Sequence, residues 1–257
     1  MKALHQLDRD AAGFRLRGGQ VTRLETFVDA AVAFSLTLLV IVTNDLPQTA
    51  AELREALKRI PTFVACFAML MMFWAAHNRW SRRVGLEDAK STLLSLAFVL
   101  VVMVYVYPLR MVVSSFLSLV TGGWLPNELD IGRDGTMRDL QTTFIVYGLG
   151  FGLLGWLLWR LNAHALDSAD ALALDANERH LLRTEMGSHA ILALVSLAAL
   201  LLALVLYAAD PPLRGAVRLL AGMPMWCYAT LCIWMPWYHT RRERQRLAMT
   251  AAAGEGG

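Results

Sequence analysis

Asp29 and His77 each set an ionisable group at the end of a long apolar run of this 257-residue chain, on two successive runs. Asp29 immediately precedes the charge-free window Ala30–Asn44, and His77 lies near the end of a second window, Ile60–Asn78. A carboxylate costs about 2.5–3.5 kcal/mol at mid-membrane on insertion scales and less near the interface, so it calls for a partner. An imidazole at similar depth on the next helix is one, through a hydrogen bond that satisfies both groups or a relay that moves a proton. The alternative for Asp29 is a helix-start carboxylate held by the positive end of the dipole among solvated headgroups. Trp74 and His77 are three apart and share a helix face, whereas Trp80 fits an aromatic belt. His5, His164, His180 and His239 fall in polar segments and His189 opens a later apolar run, so these five are expected to be solvated. Cys66, Cys227 and Cys232 lie in apolar runs without metal-ligand spacing, and small apolar packing is their expected role.

Along the first window, Phe34, Thr37, Leu38 and Ile41 recur at i, i+3, i+4 and i+7 and form one stripe. At about 100° per residue, Asp29 stands about 140° around the helix from Phe34, so the two can serve different neighbours. A hydroxyl set among bulky apolar groups is chemistry suited to lining a narrow pore. In a helix surrounded by lipid the same stripe carries no information, because apolar residues lie all round.

The elements that must position these residues follow from composition. The chain is 56% hydrophobic and 18% charged, against about 45–50% and 25% for soluble domains, and its mean hydropathy is +0.45. That excludes a disordered chain. Three cysteines exclude a disulfide scaffold, and a net charge of +3 gives no footprint for nucleic acid. A membrane-crossing helix needs about 20 mostly apolar residues. Six windows qualify: Ala30–Asn44 extended by Phe27 and Val28, Ile60–Asn78, a third from Ser91 past Pro108 and Arg110 to Val120, Leu140–Trp159, Ala190–Ala209 and Leu219–Thr240. A kink is expected near Pro108. Six spans put both termini on one side. Lys2, Arg9, Arg15, Arg17 and Arg23, then Arg79, Arg82, Arg83 and Lys90, then Arg241, Arg242, Arg244 and Arg246 all share that side, which makes it cytoplasmic. The polar N-terminus has no apolar core of a signal peptide, and no alternating pattern suggests a barrel. The expected organisation is an all-α, multi-pass protein of the plasma membrane. It comprises a cytoplasmic arm at 1–22, a six-helix transmembrane domain at 23–240 and a basic, then flexible, cytoplasmic tail at 241–257.

Arg23, Phe27 and Asp29, with Thr37-Leu38-Leu39 at the matching distance, resemble the first-helix motif R-x-x-x-F-S-D and its T-L-L of the transmembrane protein 175 family of bacterial and endolysosomal potassium channels. Val28 replaces the usual serine and Ala30 a common glycine. Trp74 and His77 resemble the tryptophan and histidine that end the family's second helix. A family asparagine early in the third helix has no clear match, Ser91 and Thr92 being nearest. The resemblance implies a homotetramer in the bilayer, its four first helices lining a weakly selective potassium pore. Phe34 would stand at the constriction, Thr37 would form a threonine ring, and Leu38 and Ile41 would continue the lining. Arg23, Asp29, Trp74 and His77 would form a structural network. No cofactor is implied beyond the permeant potassium ions, and no TVGYG filter or voltage-sensing span is present. Two other readings are a secondary transporter using Asp29 and His77 as a polar relay, and an integral-membrane enzyme, for which converging catalytic groups are lacking.

Overall fold

A Thr-x-x-Glu capping box starts the first helix: the Thr22 amide donates to the Glu25 carboxylate at 3.0 Å, and the Glu25 amide to the Thr22 hydroxyl at 3.1 Å. The computed structural model describes residues 7–41, 48–129, 136–212 and 220–255, without the side chains at 40–41 and 250–255. Its helices are α1 Arg23–Ile41, α2 Ala50–Leu57, α3 Ile60–Val84, α4 Ala89–Val120, α5 Met137–Asp167, α6 Ala176–Ala209, α7 Met223–Ala229 and α8 Leu231–Glu255. The described residues contain no strand, only an isolated bridge between Arg9 and Arg15. Asp88, Thr136 and Asp175 cap the starts of α4, α5 and α6 with their side chains. α1 lies against α3 and α4, α4 against α5, and α5 packs most closely on α6, which carries α7 and α8. The shared core runs through Phe73, Phe98, Tyr105, Phe151 and Leu158.

Four stretches are long and apolar enough to cross a membrane: Ala50–Val84, Ala89–Val120, Met137–Asp167 and Ala176–Ala209. They contain the second to fifth windows, and each helix outruns its window, because a polar turn can extend a helix beyond the hydrocarbon. α6 begins fourteen residues before Ala190, so much of the expected loop is helix. α4 runs through Pro108 unbroken. The sixth window is not one helix: α7 ends at Ala229, Thr230 separates it from α8, and Pro236 falls inside α8. α8 continues to Glu255, where a flexible tail was expected from Ala251. α2 is a charged helix with no buried residue, which a search for apolar windows passes over. The end of the first window at Asn44, the start of the sixth at Leu219, and His5 lie outside the described residues.

In the N-terminal arm, residues 8–19 are bolted to the bundle. Phe14 is fully buried, with the Arg17 and Arg83 guanidinium groups 5.5 and 5.3 Å from its ring centroid. Arg15 and Arg17 converge on the buried Glu178 carboxylate, at 2.6 and 2.9 Å. Asp10 pairs with Arg83 at 2.8 Å. The arm lies so close to the end of α3 that a Cβ on Gly85 would sit 2.9 Å from the Arg17 carbonyl carbon, and Gly85 also takes the left-handed conformation that ends α3. Three histidines expected in solvent are buried as well. His164 bonds Asp88 at 2.6 Å, His180 faces the Arg242 carbonyl at 3.1 Å, and His189 is 5% exposed on α6.

Candidate functional site

α1 has two unlike faces. Glu25, Val28, Val32, Ser35 and Leu39 are buried, at the three- and four-residue spacing of one helix side. Thr26, Phe27, Ala30, Ala33, Phe34 and Thr37 are exposed on the opposite side. Phe34 is 50% exposed and Leu38 is partly buried against the core. Ile41 is the last described residue of α1, and its side chain lies outside the described part. The exposed side therefore carries a phenyl ring and a threonine, with none of the described residues packed over them.

The Thr37 hydroxyl donates to the Phe34 carbonyl at 2.7 Å. This back-bond satisfies the proton inside the helix. The oxygen lone pairs remain as acceptors, the polarity a cation requires.

Near the start of α1, the Trp74 indole donates to the Asp29 carboxylate at 2.7 Å, tying α1 to α3. His77 does not reach Asp29. Its Nε2 faces the Ser95 hydroxyl of α4 at 2.9 Å, and its ring stacks on Phe98 with centroids 5.0 Å apart. Trp80 is buried and donates to the Leu161 carbonyl at 3.0 Å, so it is a tie to α5 rather than a belt residue. Arg23 is exposed on the first turn and makes no ion pair among the described residues. Asp29 with Trp74 and His77 with Ser95 are thus separate contacts, each stapling α3 to a different neighbour. Beside them a polar cavity of about 300 Å³ opens between the arm and α1, lined by Gln20, Glu25, His77, Glu87 and Ser95.

Sequence reasoning missed Ser95, because one serine in an apolar helix looks like any other. Its place one turn beyond Ser91 and Thr92 is the only pointer. It also missed the far end of α1, where Arg110 donates to the Leu39 carbonyl at 2.6 Å. The same guanidinium meets Glu128 with two nitrogens, at 2.5 and 2.6 Å.

Comparison with known proteins points to one kind of relative. Residues 23–108 match the family model described as the endosomal/lysosomal potassium channel TMEM175. A protein of Marivirga tractuosa named "Potassium channel" is 29% identical over 244 residues, covering 91% of this chain and 94% of its own. The crystal structure of a threonine-to-alanine variant of the potassium channel MtTMEM175, in complex with a nanobody–MBP fusion protein, superposes with a TM-score of 0.73 at 25% identity. That likeness covers 91% of this chain and all of the other. These relatives are named as potassium channels, not enzymes, and four stretches of this chain are of membrane-spanning length. Residues 23–108, then, match the TMEM175 potassium channel family, and the chain as a whole is similar to channels of that kind.

Proposed function

We propose that four copies of this chain form a weakly selective, potassium-permeable channel of the plasma membrane, with the exposed side of α1 turned to a central axis. The observation that carries the reading is the uncovered stripe of α1, with Phe34 and Thr37 opposite a fully packed face. A helix held by α3 and α4 on one side needs a neighbour on the other. Three further copies would provide it while leaving a path between the helices.

Phe34 then forms the narrowest ring, which excludes water and closes by dewetting. Thr37 forms the next ring, where hydroxyl lone pairs replace part of the hydration shell of a potassium ion. Leu38 and Ile41 continue the path outward. Four hydroxyls favour weakly hydrated potassium only modestly over sodium, so selectivity is weak. The six-span topology has both termini in the cytoplasm, α7 and α8 together supplying the sixth crossing, and no cofactor is required beyond the permeant ion. A carrier using Asp29 and His77 as a relay is not favoured, since the two groups bond different partners.

Purified protein in liposomes separates the readings. A channel dissipates a potassium gradient without any counter-ion gradient, once a protonophore relieves the charge, and native mass spectrometry returns four copies. Flux that requires a coupled gradient, or a monomeric mass, would contradict the proposal.

A further inference from the structure

The Leu39 carbonyl lies in the last described turn of α1, and a guanidinium that donates to it forms a charge-assisted hydrogen bond. The group that takes it is Arg110, from the middle of α4, through Nη1 at 2.6 Å. The guanidinium is 7% exposed and Leu39 2% exposed, so the contact is shielded from water. Arg110 does not stand as a bare charge. Its Nε and Nη2 grip the Glu128 carboxylate in a bidentate fork. Glu128 is fixed in turn, because its amide donates to the Ser114 hydroxyl at 3.1 Å, one turn along α4 from Arg110. Asn127 beside it is held by Ser115 at 2.9 Å and by the Leu129 amide at 3.0 Å.

We infer that Arg110, oriented by Glu128, is a positioning residue for the pore helix: it clamps the far end of α1 and so sets the spacing of the Phe34 and Thr37 rings. Leu39 is five residues beyond Phe34, about 7.5 Å along the helix. At the near end α1 has the Asp29–Trp74 tie and the docked arm. Arg110 is the matching attachment at the other end, and a release there lets the ring positions spread. The pore role of those rings rests on the channel reading above. The clamp itself does not.

Hydrogen–deuterium exchange of the tetramer in nanodiscs, read with potassium and sodium reversal potentials, tests the two separately. Arg110→Gln removes the charge and the fork. Exchange in the last turn of α1 should rise about tenfold or more, the effect expected on losing a charge-assisted hydrogen bond. Exchange in α5 and α6 should stay as in the wild type, and Arg110→Lys should restore part of the protection. The potassium-to-sodium permeability ratio should fall along with the protection. If Arg110→Gln does not fold, Glu128→Gln is measured in its place, with the same local rise in exchange expected. Unchanged exchange in the last turn of α1 in a folded variant overturns the clamp. So does a rise spread equally over the whole bundle, because that is loss of stability rather than of an anchor. A local rise in a protein that passes no potassium current in any form keeps the clamp and removes the channel reading.

Discussion

Thr37 is where one side chain decides whether the stripe of α1 is chemistry or filler. Its proton is spent on the Phe34 carbonyl at 2.7 Å, so the hydroxyl can act only as an acceptor, and a cation is the partner that wants one. A threonine buried against protein would make the same back-bond, but Thr37 is exposed on the uncovered side. Thr37→Val keeps the shape and deletes the oxygen. The account expects assembly and thermal stability to stay as they are and the potassium-to-sodium permeability ratio to drop roughly threefold to fivefold, the equivalent of one net hydrogen bond. Bi-ionic reversal potentials read this directly, and a ratio identical to the wild type would take Thr37 out of the ion path. Asp29 and His77 teach a different lesson. Their places on α1 and α3 were readable and their pairing was not, because a sequence places residues along helices without fixing which neighbour each side faces. Trp74 had the better reach to Asp29, and Ser95 on α4 filled the place the carboxylate was expected to take.

At the level of elements, the arm before α1 acts as a structural strut. It joins α3 through Asp10–Arg83, α6 through the two arginines on Glu178, and α8 through Arg246, which donates to the Ala12 carbonyl at 3.0 Å. Only Gln20, Val21 and Thr22 separate this docked segment, which ends at Gly19, from the first turn of α1. Glu178→Gln takes the buried anion from two part-buried arginines, a loss of the order of 3–5 kcal/mol by analogy with removing one partner of a buried pair. The variant should melt earlier, and trypsin should cleave after Arg15 or Arg17 much faster than in the wild type. Equal cleavage rates would mean that Phe14 alone holds the arm. Asp10 adds a pH dependence. Burial pushes its carboxyl up, but the Phe14 and Ala12 amides and the Arg83 guanidinium outweigh that and hold it below the ordinary carboxylate value. A group lowered on folding contributes its stability above its unfolded value, about 4, and loses it as pH falls through the folded one. Arm docking is therefore full at neutral pH and weakens in acid.

For the molecule as a whole, four of the six apolar windows were legible because a helix that crosses a bilayer must satisfy its own backbone: α3 to α6 lie where uncharged runs of about 20 residues match the hydrocarbon thickness. The arm was not legible, since its key contact joins Arg15 to a glutamate 163 residues away, and ion pairs leave no periodic trace. Arg110 looked like an interruption of a span because its partners are a backbone carbonyl and a loop carboxylate, neither marked by residue spacing. The sixth window failed on local chemistry, with Pro224 and Pro236 inside one uncharged run. What composition could not supply was the uncovered side of α1, which required knowing what packs on the other side. That side is also where the account is most exposed. If four α1 helices enclose the path, Phe34 is its narrowest point and the wild-type channel passes little current at rest. Single-channel recording of Phe34→Ala in planar bilayers, with the melting temperature of the same preparation, measures this. The account predicts a larger unitary current, a weaker preference for potassium and a nearly unchanged melting temperature, since Phe34 is half exposed within its own chain. A lowered melting temperature with no gain in current would contradict it, because Phe34 would then be packing between helices, and the constriction would have to be sought at Leu38 or Ile41.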